Sequence, residues 1–337
     1  MKVYNKQMTG SMNEQLKEKL TMMRDKRNFN AQSYIENKIE LLNQYMRHCR
    51  LKSCVVAISG GVDSAVVLGL IAKAAQAKDS PIERIIPLAL PLFDSTGVTN
   101  QETATKKGEA LCKAFHVKPI VLDLSAINKA IRDLLEPAIG ITGDDWAIGQ
   151  LGPYSRTPIL YYATSLLTKS GSNGFVCGTT NLSEGGYLGY VGKASDGMVD
   201  VQMISDIYKS EVLEVAKALG VPDEIIKATP TGDMYDNRAD EEVFGAPYDF
   251  VELYHYYLNY TDEEKALFLK SLKPEAYNQF VFYQENLENL HNYNKHKYVS
   301  KSQAIHLDLW DSSIKGGWCN HYAITQAYLK EGKIIHG

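Results

Sequence analysis

The chain has 337 residues, 45% hydrophobic and 23% charged, enough for one large domain or two modest ones around a sizeable core. Its formal net charge of −4 argues against a nucleic-acid-binding surface, and no run approaches the roughly 20 apolar residues of a membrane span. Cys49, Cys54, Cys112, Cys177 and Cys319 are odd in number and form no C-x-x-C pair, so packed free thiols, a reducing compartment and a cytoplasmic location are expected.

Residues 1–30 are polar and charged and predict a loosely attached, partly helical lead-in. From Ser33 onward Ile35, Ile39, Leu42 and Met46 recur every three or four residues, the period of a helix with one apolar face. Residues 55–58 read as a short buried strand and 65–77 as an Ala- and Leu-rich helix. A second strand over 84–90, a second helix over 102–115 and a third strand over 120–122 follow. Residues 161–169 predict a helix, 175–177 a strand, and 210–219 a helix stopped by Gly220 and Pro222. Strands alternating with helices predict an α/β fold, a doubly wound parallel sheet flanked by helices. The expected domain occupies 31–260, and 261–337 form a helical or irregular extension in which the pattern weakens from about Tyr277. The aromatic cluster at 254–260 has helical spacing and predicts packing against a neighbour, such as a second subunit. The eight histidines are dispersed, without zinc spacing, and His255, His306 and His321 read as surface or core residues.

Between the first strand and its helix stands Ser59-Gly-Gly-Val-Asp-Ser64. A glycine-rich turn there gathers backbone N–H groups at the positive end of the helix dipole, an anion site. Gly60 and Gly61 let the backbone approach an anion closely, and Ser59 and Ser64 add hydroxyl donors. Asp63 would repel phosphates unless a divalent cation lay between them, so Mg2+ is expected. A P-loop would carry a lysine here, and this loop has none, so a basic group must arrive from elsewhere. The plain alternative is a strand-to-helix turn whose polar residues serve as caps. S-G-G-x-D-S after a strand resembles the loop of the N-type ATP pyrophosphatases, the PP-loop superfamily, which cradle the pyrophosphate of ATP and transfer AMP to an oxygen. The loop alone leaves GMP, asparagine and argininosuccinate synthetases and tRNA-thiolating enzymes open.

Downstream, residues 178–200 read G-T-T-N-L-S-E-G-G-Y-L-G-Y-V-G-K-A-S-D-G-M-V-D. This stretch resembles the G-T-x-N-x-x-E…G-x-x-x-K-x-x-D-G-x-x-D segment of NAD synthetases. The resemblance continues through 204–212 (I-S-D-I-Y-K-S-E-V), 219–226, 230–233 (P-T-G-D) and 240–248 (D-E-E-V-F-G-A-P-Y), in the family's order. It implies an adenine nucleotide alpha hydrolase-like, Rossmann-like sheet and an ammonia-dependent ligase. In that reaction ATP adenylates the carboxylate of nicotinic acid adenine dinucleotide (deamido-NAD), and ammonia then displaces AMP to give NAD. The resemblance places ATP at Ser59, Gly60, Gly61, Asp63, Ser64, Thr179, Lys209 and Thr231, and Mg2+ on Asp63 and Glu184. It places deamido-NAD at Arg156, Lys193, Asp196 and Asp200, and gives Asp63, Lys209 and Asp196 catalytic roles, Asp196 taking a proton from ammonium. It also implies a homodimer. Only about fifty residues precede the loop, too few for a fused glutaminase, so ammonia is expected free or from a partner chain.

Taken singly, Glu184 also reads as a helix-dipole cap, Lys209 as a solvated helix residue and 193–197 as a surface turn. The family carries N-x-x-A-R-x-R-M before the G-T strand, whereas residues 150–159 read Q-L-G-P-Y-S-R-T-P-I. They hold one arginine, Arg156, and two prolines expected to break a helix, while Ala89 stands where the family has another arginine. A related ligase acting on a different carboxylate is therefore the alternative, and an inactive nucleotide-binding relative the next.

Overall fold

The computed structural model describes residues 11–93, 101–232, 238–297, 304–310 and 313–317. Its apolar runs form six strands: β1 (Ser53–Ala57), β2 (Arg84–Ala89), β3 (Ile120–Val121), β4 (Gly174–Gly178), β5 (Val201–Gln202) and β6 (Ile305–His306). They pair in the order β3-β2-β1-β4-β5-β6, parallel at every step, as the alternation of elements predicts. From Cys54 on, strand β1 is apolar because successive side chains enter opposite cores. Cys54 and Val56 meet α2 (Ala31–His48), α3 (Val62–Gln76) and α8 (Lys209–Leu219), while Val55 meets α6 (Asp145–Lys169). Winding runs outward from β1 to β3 on one side and from β4 to β6 on the other. The strand order therefore reverses between β1 and β4, and in open α/β sheets such a switch point opens a crevice beyond the carboxyl ends of the strands.

The expected loose lead-in is instead packed where it is described. Asn13 caps α1 (Glu14–Arg27) by accepting from Gln15 N at 2.9 Å, and Leu16, Leu20 and Met23 are buried. Their spacing is i, i+4, i+7, a narrow stripe in an otherwise charged helix, which conceals it from a reading of average polarity. The stripe joins an aromatic-rich core with α11 (Tyr248–Asn259), α12 (Asp262–Lys270) and α13 (Pro274–Asn294). There the ring of Tyr257 lies 4.9 Å from Phe280 and 5.5 Å from Phe268. These described neighbours of the 254–260 aromatics belong to this chain's own α12 and α13. The tail then returns to the sheet: β6 pairs with β5, and Leu307, Leu309 and Trp310 are buried beside α2 and α8.

Helix α6 runs unbroken through Pro153 and Pro158, against the expected break. Each proline forfeits one backbone bond, but neighbouring contacts hold the helix in place. Ser155 Oγ donates to Leu151 O at 2.8 Å, Thr157 Oγ1 donates to Ala194 O at 2.6 Å, and Leu160 and Leu167 are buried against β1 and β4. Cys54, Cys112 and Cys177 are buried free thiols, whereas Cys49, at the C-cap of α2, is exposed. His255 and His306 are core residues, and burial pulls His255 down to about 3. Cys319 and His321 lie outside the described residues. Among the described residues no helix is long and apolar enough to cross a membrane.

Candidate active site

The loop after β1 forms one wall of the crevice. Gly60 has φ +78°, and a Cβ there would lie 2.7 Å from Ala104 O on α4 (Gln101–Ala114), so the turn and the close approach both require glycine. Gly61 is the N-cap of α3 and offers no side-chain bond, leaving the first amides of that helix without a side-chain cap. The two serines brace the turn from within. Gly61 N donates to Ser59 Oγ at 3.3 Å, Ser64 Oγ donates to Gly61 O at 3.0 Å, and the two hydroxyls stand 3.2 Å apart.

The loop after β4 forms the other wall. Past half-buried Thr179, Asn181 caps α7 (Leu182–Gly185) by accepting from Glu184 N at 3.1 Å. The other end of the same amide donates to Asp63 Oδ1 at 2.7 Å and ties the two walls together. Lys209, the first residue of α8, points between them. Its side chain is 5% exposed, and Nζ lies 2.6 Å from Asp63 Oδ2 and 3.0 Å from Glu184 Oε1. Ser183 Oγ accepts from the Lys209 N–H at 3.0 Å, so the start of α8 is pinned to α7. Tyr248 Oη lies 2.7 Å from both Glu184 Oε1 and Asp240 Oδ2, and Tyr190 Oη donates to Asp240 Oδ1 at 3.2 Å. Asp240 opens α10 (Asp240–Phe244).

Two carboxylates therefore pair with one ammonium, and a third, Asp240, stands behind Glu184 across the Tyr248 hydroxyl. Burial pushes Glu184 up to about 7; Lys209 opposes the shift, and the Asp63 and Asp240 charges add to it. Asp240 also moves upward, first from burial. For Lys209 burial acts downward, but Asp63 and Glu184 outweigh it and hold the ammonium above its ordinary range. Because Glu184 binds its proton more tightly folded than unfolded, its contribution to stability is complete below about pH 4.5 and is lost as pH rises to about 7. The unfolding free energy of the substrate-free protein, from urea titrations, is expected to carry a component, up to roughly 3 kcal/mol, that falls across this window and is missing in Glu184→Gln. Parallel pH profiles for the two proteins would contradict the assignment.

Asp63, Glu184 and Lys209 are thus joined directly, and the other expected residues stand on other partners. Thr231 is exposed and bridges Ala239, the residue before Asp240, while Asp233 lies outside the described residues. Lys193 and Asp196 are exposed in the 192–197 turn, where the Asp196 carboxylate accepts from Gly192 N at 3.1 Å and Ser195 Oγ at 3.2 Å. The Asp200 carboxylate accepts from Val176 N at 2.7 Å and braces the main chain of β4. Arg156 Nε donates to Leu90 O at 3.2 Å, one residue beyond β2. Asn181, Tyr190, Asp240 and Tyr248 escape a linear reading. The N-x-x-E spacing does signal Asn181 as a cap. Nothing local announces that the turn between α10 and α11 brings Asp240 and Tyr248 to one point.

A divalent cation fits this donor set. Asp63 Oδ2 and Glu184 Oε1 are hard oxygens that converge on a single cation, here the Lys209 ammonium. Mg2+ is typically taken by one or two carboxylates together with phosphate oxygens and water.

The family described as NAD synthase matches this chain over residues 34–299. The NH(3)-dependent NAD(+) synthetase of Thermoplasma volcanium is 31% identical over 218 residues, covering 64% of this chain and 81% of that protein. That of Alkaliphilus oremlandii is 32% identical over 229 residues, covering 66% and 84%. Among solved structures, NMN synthetase from Francisella tularensis superposes with a TM-score of 0.61 at 22% identity, over 80% of this chain and 96% of that one. NH3-dependent NAD synthetase from Campylobacter jejuni gives 0.57 at 20% identity, over 80% and 96%. At those identities the structural likeness speaks for the fold.

Proposed function

The chain belongs to the NAD synthase family, and from that premise we propose that it is an ammonia-dependent ligase that amidates deamido-NAD to NAD. ATP first adenylates the substrate carboxylate with release of pyrophosphate, and ammonia then displaces AMP. The observation that carries this reading is the Asp63–Lys209–Glu184 contact, set across the point where the strand order reverses. The Gly60–Gly61 turn and the first amides of α3 would receive the triphosphate. Lys209 has three N–H donors, two directed at Asp63 and Glu184, which leaves one for a phosphate oxygen of the leaving pyrophosphate. Mg2+ held by Asp63 and Glu184 would neutralise further charge on those phosphates. Thr179, just past the end of β4, would meet the adenosine, and Thr231 would meet the far phosphates. Arg156, Lys193 and Asp200 would serve the dinucleotide, and exposed Asp196 would accept the proton that ammonium must lose.

A second acceptor stays open because Arg156 is the single arginine of 150–159 and its Nε is held by a main-chain carbonyl. Purified protein with Mg-ATP, ammonium and either deamido-NAD or nicotinate mononucleotide separates the readings. AMP and NAD formed one to one support the first, and turnover with the mononucleotide alone supports the second. ADP and orthophosphate as products would exclude both.

Pairing of two copies belongs to the same proposal, supported by α5 (Ser125–Ile139) and its surroundings. This helix buries only Asn128, while Leu134, Leu135 and Ile139 are 77%, 53% and 59% exposed. Ile141, two residues beyond α5, and Tyr162 and Leu166 on α6 are also exposed, and large exposed apolar surface marks interaction sites. Leu134→Arg is expected to shift the protein to a monomer in sedimentation without loss of helix content. An unchanged sedimentation coefficient, or a monomeric wild type, would refute this face as the interface. A cytoplasmic location completes the proposal.

A further inference from the structure

We propose that Arg27, the last residue of α1, is a positioning residue for Lys209. The inference rests on Lys209 serving the nucleotide, as set out above, and adds a device in which Arg27 and Trp310, both beyond the family-matched residues 34–299, meet the start of α8. The Arg27 guanidinium is buried, 8% exposed, and its partners surround Lys209 in sequence. Nε lies 2.5 Å from Glu211 Oε1, and Nη2 lies 3.1 Å from Glu211 Oε2 and 2.7 Å from Asp206 O. The guanidinium carbon stands 5.1 Å from the ring centre of Tyr208 and 4.5 Å from that of Trp310. One side chain thus holds residues 206, 208 and 211, which bracket position 209.

Each of those contacts acts on the backbone that delivers the lysine. Glu211 Oε2 accepts from Tyr208 N at 2.9 Å and closes the first turn of α8. The Asp206 carboxylate accepts from Tyr34 Oη at 2.8 Å and Leu309 N at 2.7 Å, and both its oxygens face fully buried Lys38. The chain entering α8 is therefore fixed by its carboxylate on one side and by its carbonyl, through Arg27, on the other. Lys209 carries a flexible four-carbon stem, so fixing its backbone limits the conformations open to it and favours the one in which Nζ meets both Asp63 and Glu184. A lysine at position 27 keeps the charge but cannot reproduce the two-pronged grip.

A structural role would weaken the protein whatever stands at 209; a positioning role acts only through Lys209. Calorimetric titration with α,β-methylene-ATP and Mg2+ separates them in wild type, Arg27→Lys, Lys209→Met and the double variant, each checked for fold by circular dichroism. Arg27→Lys is expected to weaken binding about tenfold when Lys209 is present and less than about twofold when it is absent. Equal weakening in both backgrounds, or none with Lys209 present, overturns the positioning role. If Lys209→Met binds the analogue as tightly as wild type, the nucleotide reading falls and this inference with it. Trp310→Leu removes the ring over the guanidinium but no hydrogen bond, since the indole N–H has no partner among the described residues. It repeats the cycle should Arg27→Lys not fold, with about threefold weakening expected in the Lys209 background alone.

Discussion

Lys209→Met is expected to reduce AMP formation by about three orders of magnitude and to destabilise the protein more at pH 8 than at pH 5.5. The first effect follows from losing the buried cation aimed between the two loops, where charge develops on the leaving pyrophosphate. The second follows from what remains. Without the ammonium, Asp63, Glu184 and Asp240 face one another with Tyr190, Tyr248 and Asn181 as their hydrogen-bond donors. Removing one partner of a buried ion pair costs about 3–5 kcal/mol when the other stays charged. Glu184, already raised to about 7, moves further up once Lys209 no longer opposes the shift, and protonation relieves the repulsion in acid. Assays for AMP and pyrophosphate, with urea unfolding at the two pH values, test both. Turnover within tenfold of wild type would remove Lys209 from the chemistry, and an equal loss of stability at both pH values would remove it from the charge balance. Lys209→Arg is expected to fail as well, because a planar fork cannot take the place of a point charge where two oxygens converge.

The parts of this molecule legible in the sequence are those whose signal is local. Strand β1, its glycine turn and α3 can be read because an apolar run, a Gly-Gly pair and a second apolar run lie within 25 residues, 52–76. Strands β5 and β6 have two residues each, too few for alternation to show, and exist only because each finds a neighbour already in the sheet. Helix α6 shows packing overriding propensity at Pro153 and Pro158. The site divides in the same way. Asp63 asks for a counter-charge within its own loop, but the lysine that answers lies 146 residues on, and the tyrosine that meets Glu184 lies 64 residues further along than Glu184. Resemblance supplied Lys209 and Glu184 as ligand-facing groups. That they grip one another, and that Asp240 and Tyr248 complete the group, follows from the reversal of strand order between β1 and β4 and from the position of α11.

Asp63→Asn carries the second large effect: AMP formation is expected to fall by at least about three orders of magnitude while the fold persists. The substitution changes almost no volume, and the elements beside it remain buried through Val55, Val56, Val66 and Leu70. Its cost lies in hydrogen-bond direction. Asp63 accepts from Asn181 Nδ2 on one oxygen and from Lys209 Nζ on the other, whereas an amide can accept on one side only. If the new NH2 faces Lys209, it repels the ammonium; if it faces Asn181, two donors meet. Asn181 cannot turn to relieve this, because its oxygen caps α7 through Glu184 N. A stability loss of about 1–3 kcal/mol follows, well short of unfolding. The residual activity then separates two roles of the carboxylate. If Asp63 holds Mg2+, the metal concentration giving half the residual rate rises by at least about tenfold. If Asp63 serves only to seat Lys209, the rate falls and that concentration stays where it is. Wild-type turnover in the Asp63→Asn variant would mean that neither the metal nor the lysine depends on this carboxylate.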